Sequence, residues 1–237
     1  MNYRRVLVTG ASRGLGAALA RQAAARGHAL FLVARDGDEL AQRARDITRA
    51  TGAKVVVHAA DLRSIDACRA CIVAARDALE GLDALINNAG VGPYRPFVEN
   101  SAGDIADVLA LNLGAPMFLA HAVLPHWLEQ GRGYLINVAS DLARRPLANM
   151  APYVASKFGL LGFGASLHKE VRARGIKVTT VLPGIIDSAF NNAQEGTRDS
   201  RWALPTDDLA ARIIELLHLP PHLVIDELAV HAADGDY

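Results

Sequence analysis

Short apolar runs alternate with longer segments of helical period from residue 5 to about residue 183. The runs are rich in Val, Leu and Ile and are bounded mostly by Gly, Pro, Asn or charged residues, which predicts strands. We predict strands over 5–8, 29–34, 54–59, 83–86, 134–139 and 176–182, with a last strand near 227–231. Strands that alternate with helices through short connections indicate an α/β protein. Its sheet would be seven-stranded and mainly parallel, with helices on both faces.

Helices are expected between these strands, over about 14–26, 38–50, 64–80, 101–130, 153–174 and 206–218. Asn100 or Ser101 would cap the long fourth helix, and Pro116 is expected to bend it. Residues 184–205 are polar and aperiodic, so we expect a mobile segment there rather than a core element.

The composition fits one large domain. The 237 residues include 25 basic and 25 acidic side chains, and 51% are hydrophobic. We assign residues 1–237 to one domain, since the chain can bury a substantial core and contains no linker or repeat. A balanced charge without a basic stripe argues against nucleic-acid binding. No apolar run approaches the ~18 residues of a membrane span, and the first strand begins too early for a signal peptide. We therefore expect a cytoplasmic protein without membrane attachment.

The cysteines and histidines do not form a metal-ligand pattern. Cys68 and Cys71 are spaced as CxxC, but they fall within a helical pattern and have no second ligand pair nearby. Two small helix residues explain them better than a redox or zinc site. The eight histidines show no HExxH or comparable spacing, so we expect no metal.

Three glycines between the first strand and the first helix predict a phosphate-binding loop. The segment reads Thr9-Gly10-Ala11-Ser12-Arg13-Gly14-Leu15-Gly16. Gly10 permits a tight turn, Gly14 lets the backbone approach a pyrophosphate, and Gly16 lets the helix pack close to the strand. Amides at the helix N-terminus would receive the negative charge. The spacing is GxxxGxG rather than GxGxxG, and a purely structural loop is the alternative.

The end of the second strand bears on the choice between NADP and NAD. An acidic residue there binds a ribose 2′-hydroxyl, whereas an arginine binds a 2′-phosphate. The strand ends in Ala34-Arg35-Asp36, so Arg35 can bind a phosphate, and Arg13 can approach it from the glycine loop. Asp36 is either the acid that selects NAD or the N-cap of the next helix. We favour the cap, and therefore NADP(H).

Tyr153 and Lys157 are four residues apart, which places them one turn apart on one face of a helix. Ser140 directly follows the predicted strand 134–139 and could meet them. An ammonium about 5 Å from a phenol, at an effective dielectric of about 20, would stabilise the phenolate by roughly 3 kcal/mol, or about two pKa units. Such a phenol could give a proton to a carbonyl oxygen. A chance pair in a helix is the alternative.

Six motifs follow one another over residues 4–183. They are Thr9-Gly10-x3-Gly14-x-Gly16, Asn87-Asn88-Ala89-Gly90, Asn112, Ser140, Tyr153-x3-Lys157 and Pro183-Gly184. In this order and spacing they resemble the classical short-chain dehydrogenases/reductases. Within that family, their general appearance resembles ketoreductases of the 3-oxoacyl-carrier-protein reductase type. The resemblance implies a single-domain doubly wound Rossmann fold and hydride transfer between a nicotinamide and a carbonyl or secondary alcohol.

The resemblance also implies a role for each catalytic position. Tyr153 would be the general acid in reduction and the base in oxidation, while Lys157 would lower its pKa and hold the nicotinamide ribose. Ser140 would hydrogen-bond the substrate oxygen. Asn112 would anchor a water that links Lys157 to solvent. A buried helical Asn bonded to backbone is its alternative.

The implied cofactor-binding positions extend from the glycine loop to residue 188. Asp61 and Leu62 would flank the adenine, and Gly184 and Ile185 would lie against the nicotinamide. Ser188 stands where the family often has Thr. The full set is Gly10, Ser12, Arg13, Gly14, Leu15, Gly16, Arg35, Asp61, Leu62, Asn87, Ala89, Gly90, Tyr153, Lys157, Pro183, Gly184, Ile185 and Ser188.

The loop after Ser140 leaves alternatives open. Asp141 is less usual there than a small residue, and it either places a carboxylate near the substrate or caps a turn. Arg144 and Arg145 could attract an anionic substrate or a carrier protein. A solvated pair or a subunit contact is the alternative.

The segment 188–205 would shape the substrate pocket. Its apolar residues Phe190, Trp202 and Leu204 could form a lid that excludes water from hydride transfer, or could only pin the segment to the core.

Two other functions compete with a reductase. A non-catalytic dinucleotide-sensing or regulatory protein would not need the complete set of catalytic side chains. A sugar-nucleotide epimerase or dehydratase would use the same Tyr/Lys pair, but normally with a larger C-terminal substrate domain. We also expect a homodimer or homotetramer, since the family commonly associates through the helices corresponding to 101–130 and 152–174.

Overall fold

The computed structural model describes residues 3–190 and 193–235, and its centre is a seven-stranded sheet. The described residues form nine strands, of which β7 and β8 make a separate pair. The strands are β1 Arg5–Thr9, β2 Ala29–Ala34, β3 Val55–Ala59, β4 Ala84–Asn87, β5 Gly133–Val138, β6 Ile176–Pro183, β7 Ile186–Asp187, β8 Leu204–Pro205 and β9 Glu227–Val230. The large sheet has the order β3-β2-β1-β4-β5-β6-β9, and these neighbours are parallel. The predicted α/β class and doubly wound Rossmann fold are confirmed, and each strand of this sheet agrees with its predicted range to within one residue at either end.

The helices cover both faces of the sheet. They are α1 Gly14–Ala25, α2 Gly37–Thr51, α3 Ile65–Leu79, α4 Ala102–Leu109, α5 Ala115–Gln130, α6 Ala151–Val171 and α7 Thr206–Glu215. Successive strand residues point to opposite faces. Val6 and Val8 therefore join the core beneath α1, α2 and α7, whereas Leu7 joins the core beneath α3, α5 and α6. This division confirms the predicted covering of both faces.

The long helix predicted over 101–130 contains a π-helical turn. Ser101 rather than Asn100 caps α4, through reciprocal hydrogen bonds with Asp104. The π turn covers Ala110–Gly114 and ends where Ala115 N donates to Ala110 O. Pro116 lies just after it, in the first turn of α5, where a missing N–H is tolerated. The irregularity predicted at Pro116 therefore lies one turn earlier.

One described helix is long and apolar enough to cross a membrane by length and composition alone. It is the continuous stretch 102–130, whose most apolar window has a mean hydropathy of 1.6 and is 39% buried. The core helix of a soluble protein satisfies the same criterion, and α5 packs here against α3 and β5. The stretch is weak evidence for membrane insertion.

The two cysteines of the CxxC pair lie on the buried face of α3. Both cysteines are free and fully buried. Burial raises the pKa of Cys68 to about 11 and that of Cys71 to about 12, so neither thiol ionises near neutral pH. Among the described residues, no group of three or more His, Cys, Asp or Glu side chains could hold a metal ion.

The segment 184–205 contains more structure than its aperiodic sequence predicts. β7 pairs with β8, and Arg198 Nη1 donates to Ile186 O at 2.7 Å. Leu204 is buried in the core beneath α7. Residues 191 and 192 of this segment lie outside the described residues, as do 1, 2, 236 and 237.

Candidate active site

A crevice forms where the order of the strands reverses. β1 pairs with β2 on one side and with β4 on the other. In open parallel sheets, ligands bind outside the carboxyl ends of the strands at this point. The glycine loop follows β1, the segment 88–92 follows β4, and Ser140 comes two residues after β5. All three therefore meet at the same edge of the sheet.

The glycine loop has the geometry of an anion site. Gly10 has a φ of +65°, and a Cβ on Gly16 would lie 2.0 Å from Gly10 O. Ser12 and Leu15 are buried within the loop. In the described chain, no side chain caps the first turn of α1, and that turn contains no acidic residue. Its amides and the positive end of the helix dipole are therefore available to a phosphate.

Arginines surround this loop. Arg13 and Arg35 are both exposed. Asp36 Oδ1 accepts from Glu39 N at 2.9 Å, so Asp36 caps α2, as the sequence favoured. A third arginine was missed by sequence reasoning: Arg43 Nε donates to Ser12 O at 3.0 Å. Arg43 lies two turns after the cap, and this spacing is the signal that could have found it.

Asp61 is held in place by a neighbour that sequence reasoning also missed. Arg63 Nε lies 3.0 Å from both carboxylate oxygens of Asp61, and the same guanidinium pairs with Asp107 in α4. Hydrogen bonds from Arg63 lower the pKa of Asp61 to about 2. Leu62 is buried, and its carbonyl accepts from Cys68 Sγ at 3.2 Å.

The segment after β4 is fixed to the end of β1. Thr9 Oγ1 accepts from the amides of Asn88 and Ala89, both at 3.0 Å, and Asn88 Nδ2 donates to Thr9 O at 3.0 Å. Sequence reasoning gave the Asn88 side chain no role. Asn87 Nδ2 donates to Asn137 Oδ1 at 3.0 Å, which joins β4 to β5. These bonds place the 87–90 segment beside the glycine loop.

The segment after β6 folds back over the glycine loop. Pro183 ends β6, and Gly184 N donates to Val230 O at 2.9 Å. Ile185 is exposed and Ser188 is buried. A Cβ on Gly14 would lie 3.5 Å from Ser188 Cβ. The structure therefore brings Gly14 of the glycine loop and Ser188, the last of the predicted cofactor positions, together.

Ser140, Tyr153 and Lys157 form one cluster at this edge. Lys157 Nζ lies 5.5 Å from the centroid of the Tyr153 ring and donates to Val138 O at 2.8 Å. The Ser140 side chain lies close enough to the Tyr153 hydroxyl to lower the pKa of the phenol. Tyr153 is 8% exposed and Lys157 is 4% exposed. A phenol, an ammonium and a hydroxyl thus share one protected site.

The pKa of Tyr153 moves in the opposite direction from our prediction. Burial raises it to about 12, and the hydrogen bond with Ser140 only partly offsets this. Burial also lowers the pKa of Lys157 to about 8. The predicted lowering included only the attraction of the ammonium, whereas desolvation of the buried phenol dominates. The phenol is therefore protonated at neutral pH and can give a proton.

The π turn directs Asn112 toward α6 and the loop after β4. Asn112 is fully buried, Val91 N donates to its Oδ1 at 2.9 Å, and its Nδ2 donates to Val91 O at 2.7 Å. Nδ2 also lies 3.1 Å from Ser156 Oγ, which donates to Tyr153 O at 2.6 Å. The alternative interpretation of Asn112, a buried amide bonded to backbone, is therefore present in the structure. The backbone it bonds belongs to the loop at Val91 rather than to its own helix.

The suggested lid residues occupy three different environments. Phe190 stacks at 5.9 Å from the Tyr153 ring, while Leu204 is buried and Trp202 is 43% exposed. A Cβ on Gly92 would lie 2.5 Å from Tyr153 Cδ2 and 3.0 Å from Phe190 Cζ. Phe190 and the Gly92 backbone thus cover the phenol, and Leu204 pins the segment to the core.

Two of the charged residues after Ser140, Asp141 and Arg144, have partners on β9 or directly after it. Arg144 pairs with Glu227, and Asp141 Oδ1 lies 3.3 Å from His231 Nε2. Arg145 is exposed, and its amide donates to Asp141 O at 3.2 Å. Arg144 is therefore neither a free solvated cation nor a free anion-binding group.

The fold and this cluster define a Rossmann-type oxidoreductase. A family model described as short chain dehydrogenase matches residues 4–199, and the chain belongs to this family. The chain is 33% identical over 201 residues to the ketoacyl reductase HetN of Nostoc sp.. This match covers 84% of this chain and 68% of HetN. It is 34% identical over 187 residues to the 3-oxoacyl-(acyl-carrier-protein) reductase FabG of Vibrio cholerae, covering 79% and 75%.

Solved structures give the same result. The alcohol dehydrogenase of Thermococcus sibiricus complexed with 5-hydroxy-NADP superposes with a TM-score of 0.92 at 25% identity, covering 98% of this chain and 97% of that one. A metagenomic short-chain oxidoreductase in complex with NADP gives a TM-score of 0.84 at 34% identity, covering 95% and 96%. The ketoreductase-type resemblance drawn from the motifs is confirmed.

Proposed function

We propose that the protein is an NADP(H)-dependent oxidoreductase that transfers a hydride between a nicotinamide and a carbonyl or secondary alcohol. The observation that carries this proposal is the contact of Ser140, Tyr153 and Lys157 at the carboxyl edge of the sheet, beside an uncapped helix N-terminus. A structural cluster would have no need of a buried ammonium, because burying an ammonium is unfavourable.

The roles of the cluster follow from its chemistry. In carbonyl reduction, Tyr153 Oη gives its proton to the substrate oxygen, and Ser140 Oγ hydrogen-bonds that oxygen as charge develops on it. The Lys157 ammonium, 5.5 Å from the ring, stabilises the resulting phenolate by roughly 3 kcal/mol at an effective dielectric of about 20. In alcohol oxidation the same groups act in reverse.

Asn112 supports the proton supply to this site. A Cβ on Gly90 would lie 3.3 Å from Asn112 Oδ1 and 3.7 Å from Lys157 Nζ, so the amide and the ammonium approach each other around this glycine. We assign Asn112 to anchoring a water between Lys157 and solvent.

When bound, a nicotinamide would supply or accept the hydride. Arg13 and Arg35 would hold the 2′-phosphate, and Arg43 fixes the loop through Ser12 O. Support comes from the engagement of Asp36 as a helix cap and from the NADP bound to similar solved structures. The residues assigned to the dinucleotide are Gly10, Ser12, Arg13, Gly14, Leu15, Gly16, Arg35, Asp61, Leu62, Asn87, Ala89, Gly90, Tyr153, Lys157, Pro183, Gly184, Ile185 and Ser188.

The same proposal covers the organisation of the chain. Residues 1–237 form one dinucleotide-binding and catalytic domain in the cytoplasm, with 184–205 as the variable substrate segment. Large apolar side chains are exposed on the helices 102–130 and 151–171, namely Leu109, Met117, Phe118 and Phe158. Burying such side chains between subunits is favourable, which supports a homodimer or homotetramer through these helices.

A panel of ketones and aldehydes with NADPH tests the function, with absorbance of the reduced nicotinamide as the readout. We expect turnover with at least one carbonyl. Tyr153→Phe should abolish turnover and leave NADPH binding nearly intact, since only the proton donor is removed. Substantial activity in this variant would mean that another acid does the work. NADPH binding without turnover of any carbonyl or alcohol would favour the sensing function.

A further inference from the structure

The turn that follows Ser140 is tied to the last strand at two points. Asp141 Oδ1 lies 3.3 Å from His231 Nε2, and Arg144 pairs with Glu227. Glu227 begins β9 and His231 directly follows it. The two contacts therefore attach both ends of the 141–144 turn to β9, across the end of β6.

The turn in its own right determines where Ser140 lies. Ser140 Oγ accepts from Leu142 N at 3.1 Å, and Ala143 N donates to Ser140 O at 3.0 Å. Ala143 is buried in a small cluster that includes Leu160 of α6. A shift of the turn would therefore move the Ser140 hydroxyl relative to the Tyr153 hydroxyl, whose pKa it lowers.

The two contacts are not equivalent. The side chains of Asp141 and His231 are 13% and 28% exposed, whereas those of Arg144 and Glu227 are 50% and 35% exposed. Ion pairs that are open to solvent contribute little, because water and salt screen them. The Asp141–His231 contact is the better protected of the two and is adjacent to Ser140.

The end of β9, which His231 directly follows, is fixed to the end of β6 and the residue after it. Pro183 pairs with Val230, and Gly184 N donates to Val230 O at 2.9 Å. Asp234 N donates to Arg201 O at 2.7 Å in the segment before β8. His231 thus lies between two fixed points and can serve as a reference for the turn.

We propose that Asp141 and His231 are positioning residues, whose contact holds Ser140 in the orientation that meets the Tyr153 hydroxyl and the substrate oxygen. This inference rests on the proposed reductase function. A reacting hydroxyl must be held within about 0.5 Å of its productive position, and a misplacement of about 1 Å can lower a rate about a hundredfold.

His231→Leu removes the imidazole nitrogen that lies 3.3 Å from Asp141 Oδ1 and keeps an apolar side chain of moderate size. We expect kcat to fall about tenfold, with little change in the KM of the carbonyl or the Kd of NADPH. His231→Gln and Asp141→Asn each keep a polar side chain at this contact and should recover most of the rate. Ser140→Ala should lose roughly a hundredfold, as the loss of one oxyanion donor does elsewhere.

A double variant tests whether His231 acts through Ser140. In a Ser140→Ala background, His231→Leu should cause no further loss, since two residues that act as one unit are not additive. Hydrogen exchange at the Leu142 amide should be faster in His231→Leu, because its bond to Ser140 Oγ is loosened. Arg212→Met, which breaks the exposed Arg212–Glu215 pair on α7, is the matched control and should change neither readout.

The outcomes separate this inference from the function on which it rests. An unchanged kcat in His231→Leu overturns it, as does a tenfold loss that persists in the Ser140→Ala background. If no carbonyl is turned over by the wild-type protein, the proposed function fails instead. Exchange at Leu142 then still decides whether His231 holds the turn, and an unchanged exchange rate says that it does not.

Discussion

Raising the pH through 8 should remove most of the proposed carbonyl-reductase activity, because it removes the charge on Lys157. Burial lowers the pKa of Lys157 to about 8, so the ammonium prevails below this pH and is lost above it. The pKa of Tyr153 is about 12, so the phenol keeps its proton over the same range and cannot cause the change. The expected loss therefore reports the lysine alone.

The size of the loss follows from the distance between the two groups. With Nζ 5.5 Å from the ring centroid, the ammonium stabilises the developing phenolate by roughly 3 kcal/mol at an effective dielectric of about 20, which is about a hundredfold in rate. We expect kcat/KM for a ketone to fall about tenfold per pH unit above pH 8 and to level off about a hundredfold lower.

The assay is the absorbance of NADPH at saturating cofactor, from about pH 7 to about pH 10. Lys157→Arg is the control, because a guanidinium stays charged over this range. Its profile should not fall, whatever its absolute rate. A flat wild-type profile, or an equal fall in Lys157→Arg, would refute the reasoning.

Three further predictions concern other parts of the site and the surface. Arg35→Glu should shift the ratio of kcat/KM from NADPH toward NADH by tenfold or more, since a carboxylate repels the 2′-phosphate and accepts from a ribose hydroxyl; an unchanged ratio would remove Arg35 from the argument. Gly92→Ala should lower both kcat and Tm, because its Cβ would lie 2.5 Å from Tyr153 Cδ2. Light scattering at micromolar concentration should give the mass of a dimer or tetramer, and a monomeric mass would contradict the assembly through helices 102–130 and 151–171.

The sheet could be predicted because its signals are local. The inner strands β1, β2, β4 and β5 are mostly apolar runs that are buried on both faces, and α2, α3 and α4 begin at residues whose side chains cap them. Asp36 illustrates this, since its role as the cap of α2 depends only on the residues that follow it. The proximity of Tyr153 and Lys157 could be predicted as well, because the two residues share one helix face.

The features that sequence reasoning missed depend on packing in three dimensions. The direction of the Tyr153 pKa depends on how completely the phenol is buried, which no spacing reveals. Arg43 meets Ser12 only because α2 packs beside the glycine loop. Asp141 and His231 are 90 positions apart and meet only because β9 is the neighbour of β6.

The π turn Ala110–Gly114 makes this protein sensitive to changes in length as well as in composition. An α-helix turns by about 100° per residue, so a chain shorter by one residue here could form an uninterrupted helix. In that helix the Asn112 side chain would point away from Val91 and Ser156. Deleting Leu111 should leave Tm equal or higher and abolish turnover, and retained activity would contradict this. Insertions and deletions in this helix are therefore a route by which an enzyme of this kind can evolve into an inactive relative that still folds.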